Sequence, residues 1–141
     1  MTTFKTHYFD DALFDLSSVI KTASEDLLGV DFDTIVGTGF SGGIVIPALA
    51  LSMGKNFVLI RKEGDDSHHG GGRLLGTLGS RWIFVDDFIS TGRTRRRVIE
   101  KIGDAVVEGM APTRMVGQYL YSNRRVTGRG FEPYDEIRPT L

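Results

Sequence analysis

The sequence predicts a three-layer α/β/α fold in which a mostly parallel sheet is covered by helices on both faces. Short apolar runs at 33–36, 56–61, 82–85 and 114–121 alternate with helix-patterned stretches, the order expected of parallel strands joined by crossover helices. Every glycine- or acid-rich segment falls where such a run ends, and that edge is where open α/β sheets bind ligands. The chain has 141 residues, 40% hydrophobic and 25% charged, enough for one domain with its own core. It shows no internal repeat or linker, so 1–141 is read as a single domain.

Taken in order, Asp11 to Leu28 sets Leu13, Leu16, Ile20, Ala23 and Leu27 at helical spacing, and Gly29 stops it. Asp33 to Val36 is a short strand leading into a glycine block at 37–43. Gly42 to Met53 is apolar nearly all round, as a buried helix is, and Gly54 ends it. Pro47 is expected early in that helix, where a missing N–H is best tolerated. Asn56 to Arg61 is a second buried strand, and the polar, glycine-rich residues 63–80 are a long loop. Trp82 to Val85 is the third strand. Thr94 to Val107 is a helix with Val98, Ile99, Ile102 and Val106 on one face, and Arg114 to Tyr121 is the fourth strand. The tail from Ser122 to Leu141 mixes glycine and proline with charges and is expected to be partly irregular.

Composition removes several functions. A net charge of -1 gives no global pull toward nucleic acid or an acidic membrane. The absence of cysteine excludes disulfides, Fe–S clusters and thiolate zinc sites. No apolar run reaches the roughly 18 residues of a membrane span. The start, MTTFKTHYFDD, lacks the basic and apolar pattern of a leader, which predicts a cytoplasmic protein. Of the 18 glycines, half lie in the blocks 37–43 and 70–79, which suggests backbone close to a ligand or a loop that moves.

The richest segment is Trp82 to Thr94, WIFVDDFISTGRT. An apolar strand stops at two adjacent carboxylates, Asp86 and Asp87, whose side chains leave a strand in opposite directions. Carboxylates accept paired hydrogen bonds from vicinal hydroxyls and order water around a metal ion. Ser90, Thr91, Gly92, Arg93 and Thr94 follow and open a helix, where small hydroxyl residues and free N–H groups make an anion cradle. Acids for sugar hydroxyls beside a cradle for phosphate form a ribose-5-phosphate site. A strand, an acidic turn and an N-cap would leave the doubled Asp and the Thr-Gly-Arg-Thr run unexplained.

VDDFISTGRT resembles the signature with which type I phosphoribosyltransferases bind 5-phosphoribosyl 1-pyrophosphate (PRPP). VGTGFSGG at 36–43, the buried helix after it, and VLIRK at 58–62 resemble the adenine phosphoribosyltransferase branch, so the likeness covers about residues 33–110. The resemblance implies that Asp86 and Asp87 hold the ribose hydroxyls, that Ser90 to Thr94 hold the 5-phosphate, and that Phe88 lies within the same PRPP-binding segment. It also implies that the loop Gly37 to Gly42, with Thr38, Gly39, Phe40, Ser41 and Gly42, wraps the pyrophosphate, and that Arg61 or Lys62 supplies positive charge. Magnesium would ride on PRPP, near Asp86 and Asp87 and held largely by water and substrate oxygens. A flexible loop, here Glu63 to Gly79 with His68, His69 and Arg73, would close over the site, and a small hood at one terminus would hold the acceptor base. The candidate catalytic set is thus Asp86, Asp87, Arg61, Lys62 and His68; the partners are PRPP and a nucleobase-like acceptor, and a homodimer is the family expectation.

Three positions depart from the family pattern. Phe88 replaces a usual aliphatic residue, and Thr38 stands where the adenine branch has arginine, leaving less charge at the pyrophosphate. Ser90 stands where the 6-oxopurine branch has an acid acting as general base, which turns the acceptor toward the orotate or adenine class. Tyr121, Phe131 and Tyr134 are aromatic candidates for stacking on a base, with core packing as the plainer role. Gly37 to Gly42 also fits G-x-G-x-x-G, but Arg61 and Lys62 stand where a dinucleotide domain would want an acid. The alternative function is a nucleotide-sensing regulator that turns its arginines on RNA, drawing on Arg93, Arg95, Arg96 and Arg97 and on Arg124, Arg125 and Arg129. The plainer reading has Arg93 neutralise phosphate while the other arginines are solvated or at a subunit contact.

Overall fold

A computed structural model describes residues 2, 15–61, 74–87, 89, 91–109, 111–121 and 130–141, with Phe40 and Ser41 described by their backbone alone. The elements run α1 (Leu16–Asp26), β1 (Thr34–Thr38), α2 (Gly39–Met53), β2 (Asn56–Ile60), β3 (Leu74–Gly76), β4 (Arg81–Asp86), α3 (Arg93–Val107), β5 (Arg114–Leu120), β6 (Gly130–Pro133) and α4 (Tyr134–Ile137). A 3-10 turn, Arg138–Thr140, follows α4. They form one sheet in the order β3-β2-β1-β4-β5-β6. β2, β1, β4 and β5 are parallel, and β3 and β6 are antiparallel edges. The chain leaves β1 toward β2 and returns on the other side as β4, so strand order reverses between β1 and β4. That crevice is where a ligand is expected.

Alternation along the central strands builds the three layers. Ile35, Ile83, Val85 and Tyr119 join one core with Ala23 of α1, with Leu27 just after it, and with Val45, Ile46, Leu49 and Ala50 of α2. Val36, Val58, Ile60, Trp82 and Phe84 point the other way and meet Val98 and Ile102 of α3. α2 lies between the sheet and α1, which buries Val45, Ile46, Leu49 and Ala50, while Leu51 on its remaining face is exposed. Tyr119 adds a polar tie by donating its hydroxyl to Asp26 Oδ2 at 2.8 Å.

Several expectations are corrected. α2 begins at Gly39 instead of Gly42, which makes Pro47 the ninth of its fifteen residues and leaves the Gly43 carbonyl without an i+4 donor. Gly54 closes the helix in the left-handed region as expected. The long loop hides β3, whose three residues pair with β2 and whose Gly76 sits against the Phe57 carbonyl where a Cβ would not fit. The end of the tail is ordered as an edge strand, a helical turn and a 3-10 turn. Periodicity failed there because each piece is three or four residues long, too short to show a period.

The start of β1 is locked to the start of β4. Asp33 accepts hydrogen bonds from the Thr34 hydroxyl (2.7 Å), the Ser80 N–H (3.0 Å), the Ser80 hydroxyl (3.1 Å) and the Arg81 N–H (3.2 Å). Burial raises the Asp33 pKa, but the bonds from Thr34, Arg81 and Ser80 outweigh it and hold the carboxyl below its ordinary value. Gly79 lies so close to this carboxylate that a side chain would collide with it. Among the described residues, no helix is long and apolar enough to cross a membrane.

Candidate functional site

The opposite end of the same two strands carries the candidate site. β1 and β4 run side by side through Val36 and Phe84, so Thr38 and Asp86, two residues further along each, end beside one another. Thr38 also pairs with Ile60, the last residue of β2, which brings the exposed Arg61 to the same edge. The expected residues Thr38, Gly39, Gly42, Arg61, Asp86, Asp87, Thr91, Gly92, Arg93 and Thr94 therefore lie at the ends of three adjacent strands or on the helices that follow them.

Two helices start at this edge. Thr38 occupies the cap position of α2, yet its hydroxyl donates to the Ile60 carbonyl and ties β1 to β2. The first-turn N–H groups of α2 are thus left uncapped by the residue placed to cap them. Gly39, at φ +87, makes the turn that lets β1 pass directly into the helix. Gly37 has a different task. Ile46 of α2 packs on it, and the Val85 carbonyl lies 2.7 Å from where its Cβ would be, so it serves close helix-to-strand packing. Of the first glycine block, Gly37 is therefore explained by packing.

The β4–α3 connection is longer. Asp86 closes β4 and accepts the Asp87 N–H at 2.8 Å, while its carbonyl takes the Tyr121 N–H at 3.1 Å. Ile89 is anchored in the α3-side core. The Thr91 hydroxyl accepts the Arg93 N–H at 3.2 Å, and Gly92, at φ +80, caps α3 without a side chain. Helix geometry leaves the Thr94 N–H with no intrahelical acceptor. Two helix N-termini, each carrying about half a positive charge, flank the two carboxylates at the switch point. The combination suits a ligand with both hydroxyls and phosphates.

Other expectations fall elsewhere. Lys62, His68, His69, Arg73, Phe88 and Ser90 lie outside the described residues, as do 1, 3–14 and 122–129, where a hood would be sought. The described part of each terminus is built into the layers: α1 packs on α2, and Tyr121 and Phe131 pack into the α1- and α2-side core. Tyr134 lines a groove of about 620 Å³ with Trp82, Ile99, Ile102 and Met115, at the start of β4 and β5. That groove contains none of the predicted site residues. Residues 74–79, expected as part of the closing loop, are held by β3 pairing and by the Gly79 N–H on the Thr34 hydroxyl at 2.9 Å. Among the described residues, no three His, Asp or Glu converge on a metal cage. Asp86 and Asp87 offer hard oxygen donors that fit a magnesium ion held mainly by substrate and water.

Arg95 was expected in solvent or at a subunit contact, and it is buried instead, 5% exposed. The signal was present: Arg95 precedes Val98 by three residues and Ile102 by seven, which puts it on the apolar stripe of α3. Its charge disguised its position.

No family model matches the chain. The adenine phosphoribosyltransferase of Chlorobium phaeobacteroides is 36% identical, covering 57% of this chain and 55% of that protein. The orotate phosphoribosyltransferase of Ralstonia nicotianae is 35% identical, covering 70% of this chain and 46% of that protein. The chain spans about half the length of these relatives. Among solved structures, the orotate phosphoribosyltransferase of Mycobacterium tuberculosis, crystallised in complex with PRPP, shares the fold at a TM-score of 0.54 and 16% identity, over 71% of this chain and 55% of that one. Over the matched residues the chain is thus similar in sequence to adenine and orotate phosphoribosyltransferases, and it shares the sheet architecture of an orotate phosphoribosyltransferase.

Proposed function

We propose that the protein transfers the 5-phosphoribosyl group of PRPP to a nitrogenous base of the orotate or adenine class and releases pyrophosphate. One observation carries this reading: Asp86 and Asp87 stand between the N-termini of α2 and α3 at the switch point of the sheet. The two acids accept the ribose hydroxyls, Thr91 to Thr94 receive the 5-phosphate with Ser90, and the α2 N-terminus with Arg61 and Lys62 receives the pyrophosphate. The adenine and orotate relatives support the donor and the reaction class.

The chemistry follows from where charge develops. As the bond from C1 of the ribose to pyrophosphate breaks, the ring gains positive charge and the departing group gains negative charge. The Asp86 and Asp87 carboxylates stabilise the first through the ribose, while the α2 dipole and Arg61 stabilise the second. Magnesium, when bound, neutralises pyrophosphate oxygens, and Asp86 and Asp87 are the residues placed to hold its water shell. Residues 62–73, with His68, would exclude water that would otherwise hydrolyse PRPP. Cytoplasmic location and a homodimer complete the proposal.

The test is pyrophosphate release from PRPP with magnesium across a panel of bases. Turnover with orotate or adenine, and none with hypoxanthine or guanine, is expected. Micromolar nucleotide binding without turnover on any base would overturn the enzyme reading in favour of a sensor.

A further inference from the structure

α3 carries an ion beneath the phosphate turn that the reaction itself does not use. The Arg95 guanidinium donates from Nη1 to Gln118 Oε1 on β5 at 2.8 Å. From Nη2 it donates to the Thr140 hydroxyl at 3.0 Å and to the Thr140 carbonyl at 3.4 Å. Gln118, 3% exposed, passes the connection on by donating Nε2 to Glu132 Oε1 on β6 at 3.3 Å. Thr140 is itself fixed, its hydroxyl donating to the Ile137 carbonyl at 2.8 Å. Arg95 Nε is buried with no hydrogen-bond partner.

This arrangement is a poor way to gain stability. A buried ion pays for desolvation, and apolar residues of similar volume often serve a core as well or better. Burial lowers the Arg95 pKa, Glu132 opposes that shift, and the like charge of Arg96 adds to it. What the ion achieves is placement. Arg95 Nη2 lies 3.6 Å, and Arg96 Nη1 3.0 Å, from where a Cβ on Gly92 would stand. Arg96 Nη1 also donates to the Thr91 carbonyl at 3.2 Å. Two guanidinium groups therefore back Gly92, one of them locked to β5 and to the final turn. Arg96 holds the Thr91 carbonyl, and Arg95, packed beside Gly92, adds its positive charge behind the α3 N-terminus.

We propose that Arg95 is a positioning residue for the phosphate turn, coupling residues 91–94 to Gln118 on β5 and to Thr140 at the final turn. The 5-phosphate role of the turn rests on the phosphoribosyl reading; the coupling does not. Two conservative variants test it. Arg95→Lys keeps the charge and loses the fork that reaches Gln118 and Thr140 together. Thr140→Val removes one hydroxyl and leaves Arg95 in place.

Amide hydrogen exchange is measured without ligand at Arg93 and Arg96, whose N–H groups bond Thr91 Oγ1 and the Gly92 carbonyl, with Ile35 and Val58 as references. PRPP and inorganic phosphate dissociation constants and, where turnover is seen, KM and kcat are measured beside it. The expected result is faster exchange confined to these turn amides in both variants. PRPP affinity should fall about fivefold in Thr140→Val, as for one charged hydrogen bond, and further in Arg95→Lys, with KM moving more than kcat. Unchanged exchange at the turn, or a uniform rise that includes the reference amides, overturns the positioning role. If Arg95→Lys does not fold, Thr140→Val alone decides. If the wild-type protein binds neither PRPP nor phosphate, the phosphoribosyl reading fails while exchange still decides the coupling.

Discussion

β1 and β4 carry carboxylates at both ends of one strand pair, and the two ends are built differently. At the start, Asp33 is held by donors from Thr34, Ser80 and Arg81, two of them more than forty residues away in sequence. The bonds from Ser80 and Arg81 join one strand start to the other, and Gly79 lets the backbone close around the acid. At the far end, Asp86 takes the N–H of its own neighbour, Thr38 turns its hydroxyl sideways to β2, and the helices begin without side-chain caps. Carboxylates cross-link two strand starts at one end, and at the other they stand where the proposed function puts the ribose hydroxyls.

Breaking the far end should have the largest effect. Asp86→Asn combined with Asp87→Asn should lower PRPP affinity at least about a hundredfold, since two charge-assisted contacts are lost. The melting temperature should stay within a few degrees, measured by calorimetry. A protein that loses stability and keeps affinity would reverse the contrast between the two ends. Gly37→Ala comes next. The added methyl meets Ile46 and the Val85 carbonyl, so a loss of about 2 kcal/mol in denaturant unfolding is expected from overpacking.

At the near end, Asp33→Asn should reduce stability by about 2 kcal/mol, because one oxygen remains to serve four donors. PRPP affinity per folded molecule should not change. The smallest effect is on pH dependence. The Asp33 pKa is lowered by folding, so its contribution is complete above the ordinary carboxylate range and is lost as pH falls through the folded value. Denaturant unfolding across an acid pH series should therefore show wild-type stability falling more steeply than that of Asp33→Asn, so that the gap between them narrows as pH falls.

Long elements were legible in the sequence because their period repeats. The four parallel strands, α2 and α3 stand where apolar runs and helical spacing put them, while the strand order that sets the switch point between β1 and β4 came with the structure. The edges were not legible. β3 and β6 are only three and four residues long, and their pairing is decided by Gly76 and Gly117 fitting against neighbouring backbone. The segments 37–42 and 86–94 were legible because acids and small residues clustered after apolar runs. Arg95 was missed because a charged residue on an apolar stripe reads as solvent-facing until Gln118 and Thr140, 23 and 45 residues away, are brought to it. Likewise Asp33 looked like a strand start, since its donors at 80–81 are local only after folding.

The most direct test of the central claim is an amide-resolved NMR titration of the wild-type protein with PRPP and magnesium. The account predicts shifts concentrated at residues 38–42, 61, 86–87 and 91–94, with Asp33, Gly79 and Ser80 unmoved. Saturation without shifts at 86–94, or shifts centred on the groove at Trp82, Ile102 and Met115, would contradict it.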